Sequence, residues 1–129
     1  MAADDVVARA RGLIGVPFRL HGRDALGLDC VGLVACAYGA RGAPQDYDLR
    51  SNAVTRWVGV LDARFSRRGD GRLDPGDVLL MRAGPAQLHL GVWTGAGFVH
   101  AHAGLRRVVE TPGPPPWPLL GIWFSRKEQ

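Results

Sequence analysis

Apolar positions recur at helical spacing in the first half of the chain and at strand spacing in the second. Val6, Val7, Ala10, Leu13 and Ile14 fall three and four residues apart, which predicts a first helix capped by Asp4 or Asp5. Gly15-Val16-Pro17 ends it, because proline has no N–H to continue the helical ladder. Phe18-Arg19-Leu20-His21 reads as a short extended piece and residues 22–28 as a loop. A second apolar run, with Val31, Leu33, Val34, Ala37 and Tyr38, predicts a helix that begins at or beside Cys30. Residues 39–48, with Gly42 and Pro44, break that helix. A third helix is predicted over about residues 52–65, burying Val54, Trp57, Val58 and Leu61.

The period then changes. Asp74-Pro75-Gly76-Asp77 is a turn, and strands follow over residues 78–81, 88–93, 98–102, 106–111 and 119–124. Thr94-Gly95-Ala96-Gly97 joins the second and third as a hairpin, and a proline-rich link over residues 112–118 precedes the last. Helices first and an antiparallel sheet second is an α+β order, and a length of 129 residues fits a single domain over 1–129.

Composition removes several classes of function. No run of eighteen apolar residues occurs, so no membrane span is expected. The acidic opening Met1-Ala2-Ala3-Asp4-Asp5 lacks a basic segment followed by an apolar core, which predicts synthesis in the cytoplasm and exit by lysis or within a particle. The net charge of +4 is almost wholly arginine, with Lys127 as the single lysine. The arginines are scattered, with doublets only at Arg67-Arg68 and Arg106-Arg107, and no basic stripe is interleaved with aromatics. Nucleic acid is therefore not an expected partner. Attraction to an anionic polymer such as a bacterial wall remains physically reasonable. Cys30 and Cys36 are separated by about 9 Å of helical rise, too far for a disulfide. Both are read as thiols, Cys36 as a small helix filler.

Two places carry candidate chemistry. In Gly27-Leu28-Asp29-Cys30-Val31-Gly32-Leu33-Val34 the thiol stands at a helix start, beside unpaired N–H groups and the positive end of the macrodipole. That placement favours thiolate, the nucleophilic form. The alternative is a buried structural cysteine, a common fate of free thiols. The second place is the hairpin, where His89, Gly91, His100 and His102 share one face by the period of two. An even-numbered turn sets His89 opposite His102 and Gly91 opposite His100. One histidine would pair with the thiol and another orient it, as covalent catalysis requires. Three histidines on a half-solvated strand face, or a zinc site built from the thiol and His-x-His, are the alternatives.

The blocks Gly-Leu-Asp-Cys-Val-Gly-Leu-Val, Pro-Gly-Asp-Val-Leu-Leu and His-Leu-Gly-Val-Trp-Thr-Gly-Ala-Gly-Phe-Val-His-Ala occur in that order. They resemble the three signature blocks of the NlpC-type cysteine endopeptidases, bacterial cell-wall hydrolases. Gly-Val-Pro-Phe-Arg and the valine after Cys30 resemble the phage branch, the tail-associated and gene-transfer-agent cell-wall peptidases. The resemblance spans about residues 6–124 and implies a reduced papain-like fold, with N-terminal helices on a five- to six-stranded antiparallel sheet. It implies Cys30 as nucleophile, His89 as general base and His100 as the orienting group, and gives His102 no role. Asp29 matches the family's acid before the cysteine, which shapes a pocket for a substrate amine, and it also suits a helix N-cap.

Two positions depart from the family's pattern. Val31 stands where many members have serine. Phe18 stands where most have a tyrosine whose hydroxyl assists the oxyanion, a role for which His21 is the substitute candidate. The implied substrate is a peptidoglycan stem peptide, cleaved between D-glutamate and a diamino acid, with phage-tail or gene-transfer-agent proteins as partners. No metal or organic cofactor is implied. A catalytically weak or inactive module of a phage tail, and an amidase or acyltransferase on a non-wall substrate, are the other readings.

Overall fold

The computed structural model describes residues 3–40, 42–45, 47 and 53–126. Three helices, α1 (Ala3–Gly12), α2 (Cys30–Tyr38) and α3 (Val54–Arg64), precede the main sheet. A two-residue hairpin, β1 (Arg23–Asp24) with β2 (Gly27–Leu28), lies between α1 and α2 where the sequence suggests only a loop. The remaining strands are β3 (Ser66–Arg67), β4 (Val78–Gly84), β5 (Gln87–Trp93), β6 (Gly97–His102), β7 (Arg107–Pro112) and β8 (Leu119–Phe124). They form one six-stranded antiparallel sheet in the order β3-β8-β4-β5-β6-β7. The expected α+β architecture, helices packed on an antiparallel sheet, is the observed one; the strand too short to read from periodicity is β3.

Alternation along the strands divides the interior in two. Val78, Leu80, Leu88, Leu90, Val92, Val99 and Ala101 face the helices and pack with Val6, Ala10, Leu33, Val34, Trp57 and Leu61. On the other face Leu79, Met81, Phe98 and Ile122 form a smaller cluster roofed by Leu73, Trp93 and Trp117. The proline-rich link before β8 therefore covers the back of the sheet with Trp117.

Local predictions hold with three corrections. The first helix begins at Ala3, so Asp4 and Asp5 occupy its first turn rather than capping it, where they still complement the macrodipole. It ends at Gly12, and Ile14 is exposed, not part of the buried face. The extended piece covers residues 16–19, stitched to β2 and to β7 and the residue before it. It stops short of the expectation: Leu20 and His21 form a turn, with His21 at φ 63° and Gly22 N–H donating to Arg19 O. Gly15 N–H donates to Val108 O (2.9 Å), Phe18 N–H to Arg106 O (2.9 Å) and Arg19 N–H to Leu28 O (3.0 Å). The third helix starts at Val54; residues 51 and 52, where its predicted start falls, lie outside the described residues.

Candidate active site

Asp29 fixes the start of α2. Its backbone is extended and its side chain accepts from Gly32 N–H at 2.8 Å, the hydrogen bond of an N-cap. Gly32 is required there: a Cβ would lie 2.0 Å from the Gly22 carbonyl oxygen, so only glycine lets the preceding turn close over the helix. Gly39 ends the helix in the left-handed conformation (φ 63°) and donates to Cys36 O.

The Asp29 carboxylate does more than cap. It is fully buried, and its two oxygens also accept from Arg23 Nη1 (3.1 Å), His21 N–H (2.8 Å) and the Tyr47 hydroxyl. Arg23 in turn donates to Tyr47 Oη (3.1 Å) and to the Pro44 carbonyl. His21 holds the same ring from the other side, through a ring nitrogen that donates to Tyr47 O at 2.8 Å and an edge-on contact at 4.5 Å. His21 is thus tied into the support of the helix start and does not line the histidine cleft. The carboxylate of Asp29, expected to face a substrate amine, is already filled by four donors from within the chain. Burial and the neighbouring Asp29 charge both push the Tyr47 hydroxyl up, so it stays protonated and donating.

Cys30 sits at the first position of α2, as expected, and is fully buried. Its protonation is the opposite of the expectation. Burial, followed by the Asp29 charge, pushes the thiol up to about 12, against the downward pull of the backbone amides of Leu90, Val31 and Cys30 itself. A macrodipole contributes about 0.3–1 kcal/mol, less than one pKa unit, so desolvation wins. The free protein holds a neutral thiol. Cys36 is half-buried and packs against the core as a small helix residue; its thiol also donates to Arg23 O at 3.2 Å.

The histidines come from β5 and β6. The register is the one an even turn predicts, with Val92 opposite Val99 and Trp93 opposite Phe98. His89 nevertheless bonds His100 rather than His102: Nε2 and Nδ1 are 2.8 Å apart, with the rings nearly perpendicular. The two are diagonal neighbours, within reach for ring side chains on one face. His100 is held further by Thr111 Oγ1, 2.7 Å from its Nε2, and by Phe98 stacked on its ring at 4.4 Å. His102 lies 5.5 Å from His100, and its Nδ1 accepts from Leu105 N–H at 3.1 Å. Burial first, then the other imidazoles, lowers His89 to about 3 and His100 to about 4, so both are neutral at neutral pH.

The two halves adjoin across β5, where a void too small for a water molecule is bordered by Cys30, Val31, Trp57, Leu88, His89 and Leu90. The His89 ring, on the residue paired with Met81, lies on the other face of the sheet, 5.6 Å from Trp117. Among the described residues no hydrogen bond joins the thiol to an imidazole. On the outer side of His89 a cleft of about 210 Å³ is lined by Phe18, Gln87, His100, His102, Gly104 and Trp117. Of the sequence candidates, Cys30, Val31 and His89 share the void, and Phe18 joins His89 and His100 in the cleft. Among the described residues no cluster of three or more His, Cys, Asp or Glu side chains is placed to hold a metal, so the zinc alternative lacks its ligand set. Sequence reasoning missed Arg23, Tyr47, Thr111 and Trp117. Three of these lie in segments without periodicity, and Thr111 only acquires meaning from the β6–β7 register.

Residues 15–117 match the NlpC/P60 family. The chain belongs to that family. Among solved structures it is similar to NlpC1 from Trichomonas vaginalis, at 21% identity and a TM-score of 0.70, over 95% of this chain and 45% of that one. It is similar to RipB from Mycobacterium tuberculosis, a peptidoglycan hydrolase, at 20% identity and a TM-score of 0.62, over 95% of this chain and 63% of that one. The NlpC/P60 domain of the peptidoglycan hydrolase SagA aligns at 21% identity and a TM-score of 0.62, over 87% of this chain and 90% of that domain. The papain-like fold of NlpC/P60 domains is therefore the fold of this chain, which spans less than half of NlpC1. No curated protein matches it.

Proposed function

We propose that this chain is a cysteine peptidase that hydrolyses an amide bond in peptidoglycan stem peptides by thiol acyl transfer. The observation that carries this reading is the hydrogen-bonded His89–His100 pair on β5 and β6, with Cys30 at a helix start held against β5 by the Leu90 amide, next in the chain to His89. Membership of the NlpC/P60 family and likeness to two peptidoglycan hydrolases support it.

Thiol and imidazole are both neutral in the free protein, so the thiolate forms with the attack rather than standing ready beforehand. His89 takes the Sγ proton as sulfur bonds the carbonyl carbon, and the N–H groups at the start of α2 stabilise the oxyanion. The proton passes to the leaving amine, the amide C–N bond breaks, and water, deprotonated by His89, hydrolyses the thioester and restores the thiol. His100 orients His89 through its Nδ1. The bond proposed is that between D-glutamate and a diamino acid. The segment from Gly15 to Arg19 and the valine after Cys30 support placing the chain in the phage and gene-transfer-agent branch, made in the cytoplasm and carried in a particle with tail proteins.

Phe18 in the cleft and the buried thiol favour a second reading, a catalytically weak binding module of a phage tail. An amidase or acyltransferase on a non-wall substrate would use the same groups. Incubation with purified peptidoglycan and mass analysis of the released fragments tests all three. Fragments with new termini within the stem peptide support the peptidase, and intact peptidoglycan, with the protein bound to it, supports the binding module. Cleavage confined to a non-wall amide supports the third.

A further inference from the structure

Two neutral imidazoles joined by one hydrogen bond share a single proton, and that proton has two possible owners. If His89 carries it on Nε2, its Nδ1 is a bare lone pair. If His100 carries it on Nδ1, His89 Nε2 becomes the acceptor and His89 Nδ1 holds a hydrogen. Only the first state leaves His89 a basic nitrogen on the side away from His100, and nothing in the pair itself chooses between them.

Thr111 is the group that adjoins this choice. It stands on β7 opposite Phe98, one diagonal step from His100, and its Oγ1 is 2.7 Å from His100 Nε2. His100 therefore has polar partners on both ring nitrogens, His89 at 2.8 Å and Thr111 at 2.7 Å. Phe98 stacked at 4.4 Å and Trp117 edge-on at 5.8 Å keep the ring from turning away. We propose that Thr111 is a positioning residue whose hydroxyl oxygen accepts from His100 Nε2–H, holding His100 in the tautomer whose Nδ1 accepts from His89 and so leaving His89 Nδ1 free as the base.

Thr111 touches neither the thiol nor the cleft-side atoms of His89, so its influence runs through His100 alone. The inference rests on the peptidase reading for its consequence in catalysis, while the tautomer itself can be observed without any turnover.

The variants are Thr111→Val, which keeps the branched shape a strand favours and removes the oxygen, and Thr111→Ser, which keeps the oxygen. Nitrogen-15 spectra of histidine-labelled protein at neutral pH report the tautomer of His100 directly. Wild type and Thr111→Ser should show a protonated Nε2 and a bare Nδ1 on His100, and Thr111→Val a mixture with Nδ1 protonated. Peptidoglycan cleavage by Thr111→Val should fall by about tenfold in kcat with KM little changed, the worth of one hydrogen bond, and Thr111→Ser should restore most of it. A wild-type His100 protonated on Nδ1, or the same His100 tautomer in Thr111→Val as in wild type, would overturn the proposal. A wild type that cleaves nothing yet shows the expected tautomers in all three proteins would overturn the peptidase reading and leave the assignment of Thr111 standing.

Discussion

The two halves of the site are built in different ways. The cysteine half is closed: Cys30 and Asp29 are fully buried, and the carboxylate has a donor for every accepting position. The histidine half is buried at its centre, with His100 1% and His89 8% exposed, but it borders a cleft of about 210 Å³ that runs past Phe18, the half-buried His102 and Trp117. Rigid support therefore sits under the proposed nucleophile, and room sits beside the proposed base. The closed half is a folding unit, whose parts are needed to begin α2. The histidine half rests on a sheet already held by its ladder, and its rings are fixed by Thr111, Phe98 and each other.

That contrast predicts which substitutions harm activity and which harm folding. The largest effect belongs to the half that borders the cleft: His89→Ala should lower peptidoglycan cleavage at least about a thousandfold. Some fall in Tm should accompany it, because the substitution removes a buried ring and leaves His100 Nδ1 without its partner. His100→Gln should keep part of the activity, because an amide can still orient an imidazole, and His102→Ala should change least. Dye release from labelled peptidoglycan ranks the three. A greater loss for His102→Ala than for His100→Ala would overturn the roles assigned to the pair.

The closed half should answer in stability. Asp29→Asn leaves the Arg23 guanidinium without its charge partner and removes an acceptor from Tyr47. It should cost about 3 kcal/mol of folding free energy, a fall of about 10 °C in Tm. Calorimetry checks this, and an unchanged Tm would show that the network is not the support described.

Phe18 tests the boundary between the halves. Phe18→Tyr adds one hydroxyl in the cleft beside His89, and restoring an oxyanion donor should raise kcat by up to about a hundredfold with no change in Tm. His21→Ala should instead lower Tm, since its ring is tied to Tyr47 O. No gain for Phe18→Tyr together with a large loss of kcat for His21→Ala would move the donor role to His21.

Stability should also depend on pH, with one limb from each half. His89 and His100 are lowered in the folded state from the ordinary 6.5 to about 3 and about 4. The unfolded chain therefore binds more protons than the native one as pH falls below about 6.5, and stability declines toward acid. Cys30 is raised from 9.0 to about 12, so the unfolded chain loses its proton first and stability declines above about 9. Urea unfolding across the range should show a plateau between these limits. Cys30→Ala should flatten the alkaline limb and His100→Gln part of the acid limb.

Much of this was legible in the chain. Helix and strand periods placed α2, α3 and β4 to β8 within a few residues, and three ordered motifs singled out Cys30, His89 and His100. The protonation of Cys30 was not, because burial depends on Leu90 and Trp57, far away in sequence, while the dipole is local. Arg23 and Tyr47 were hidden for the same reason: each lies in a segment with no period, and only folding brings both to Asp29. The pairing of His89 with His100 followed from the motif, and the register is compatible with it because diagonal neighbours on one face lie within reach.

The central claim is that Cys30 performs the chemistry, and one comparison tests it most directly: fragment release from purified peptidoglycan by wild type, Cys30→Ala and Cys36→Ala, each shown by its Tm to be folded, with and without a chelator. Wild type and Cys36→Ala should release stem-peptide fragments at equal rates whether or not the chelator is present, and Cys30→Ala should release none. Equal release by wild type and Cys30→Ala would contradict the account.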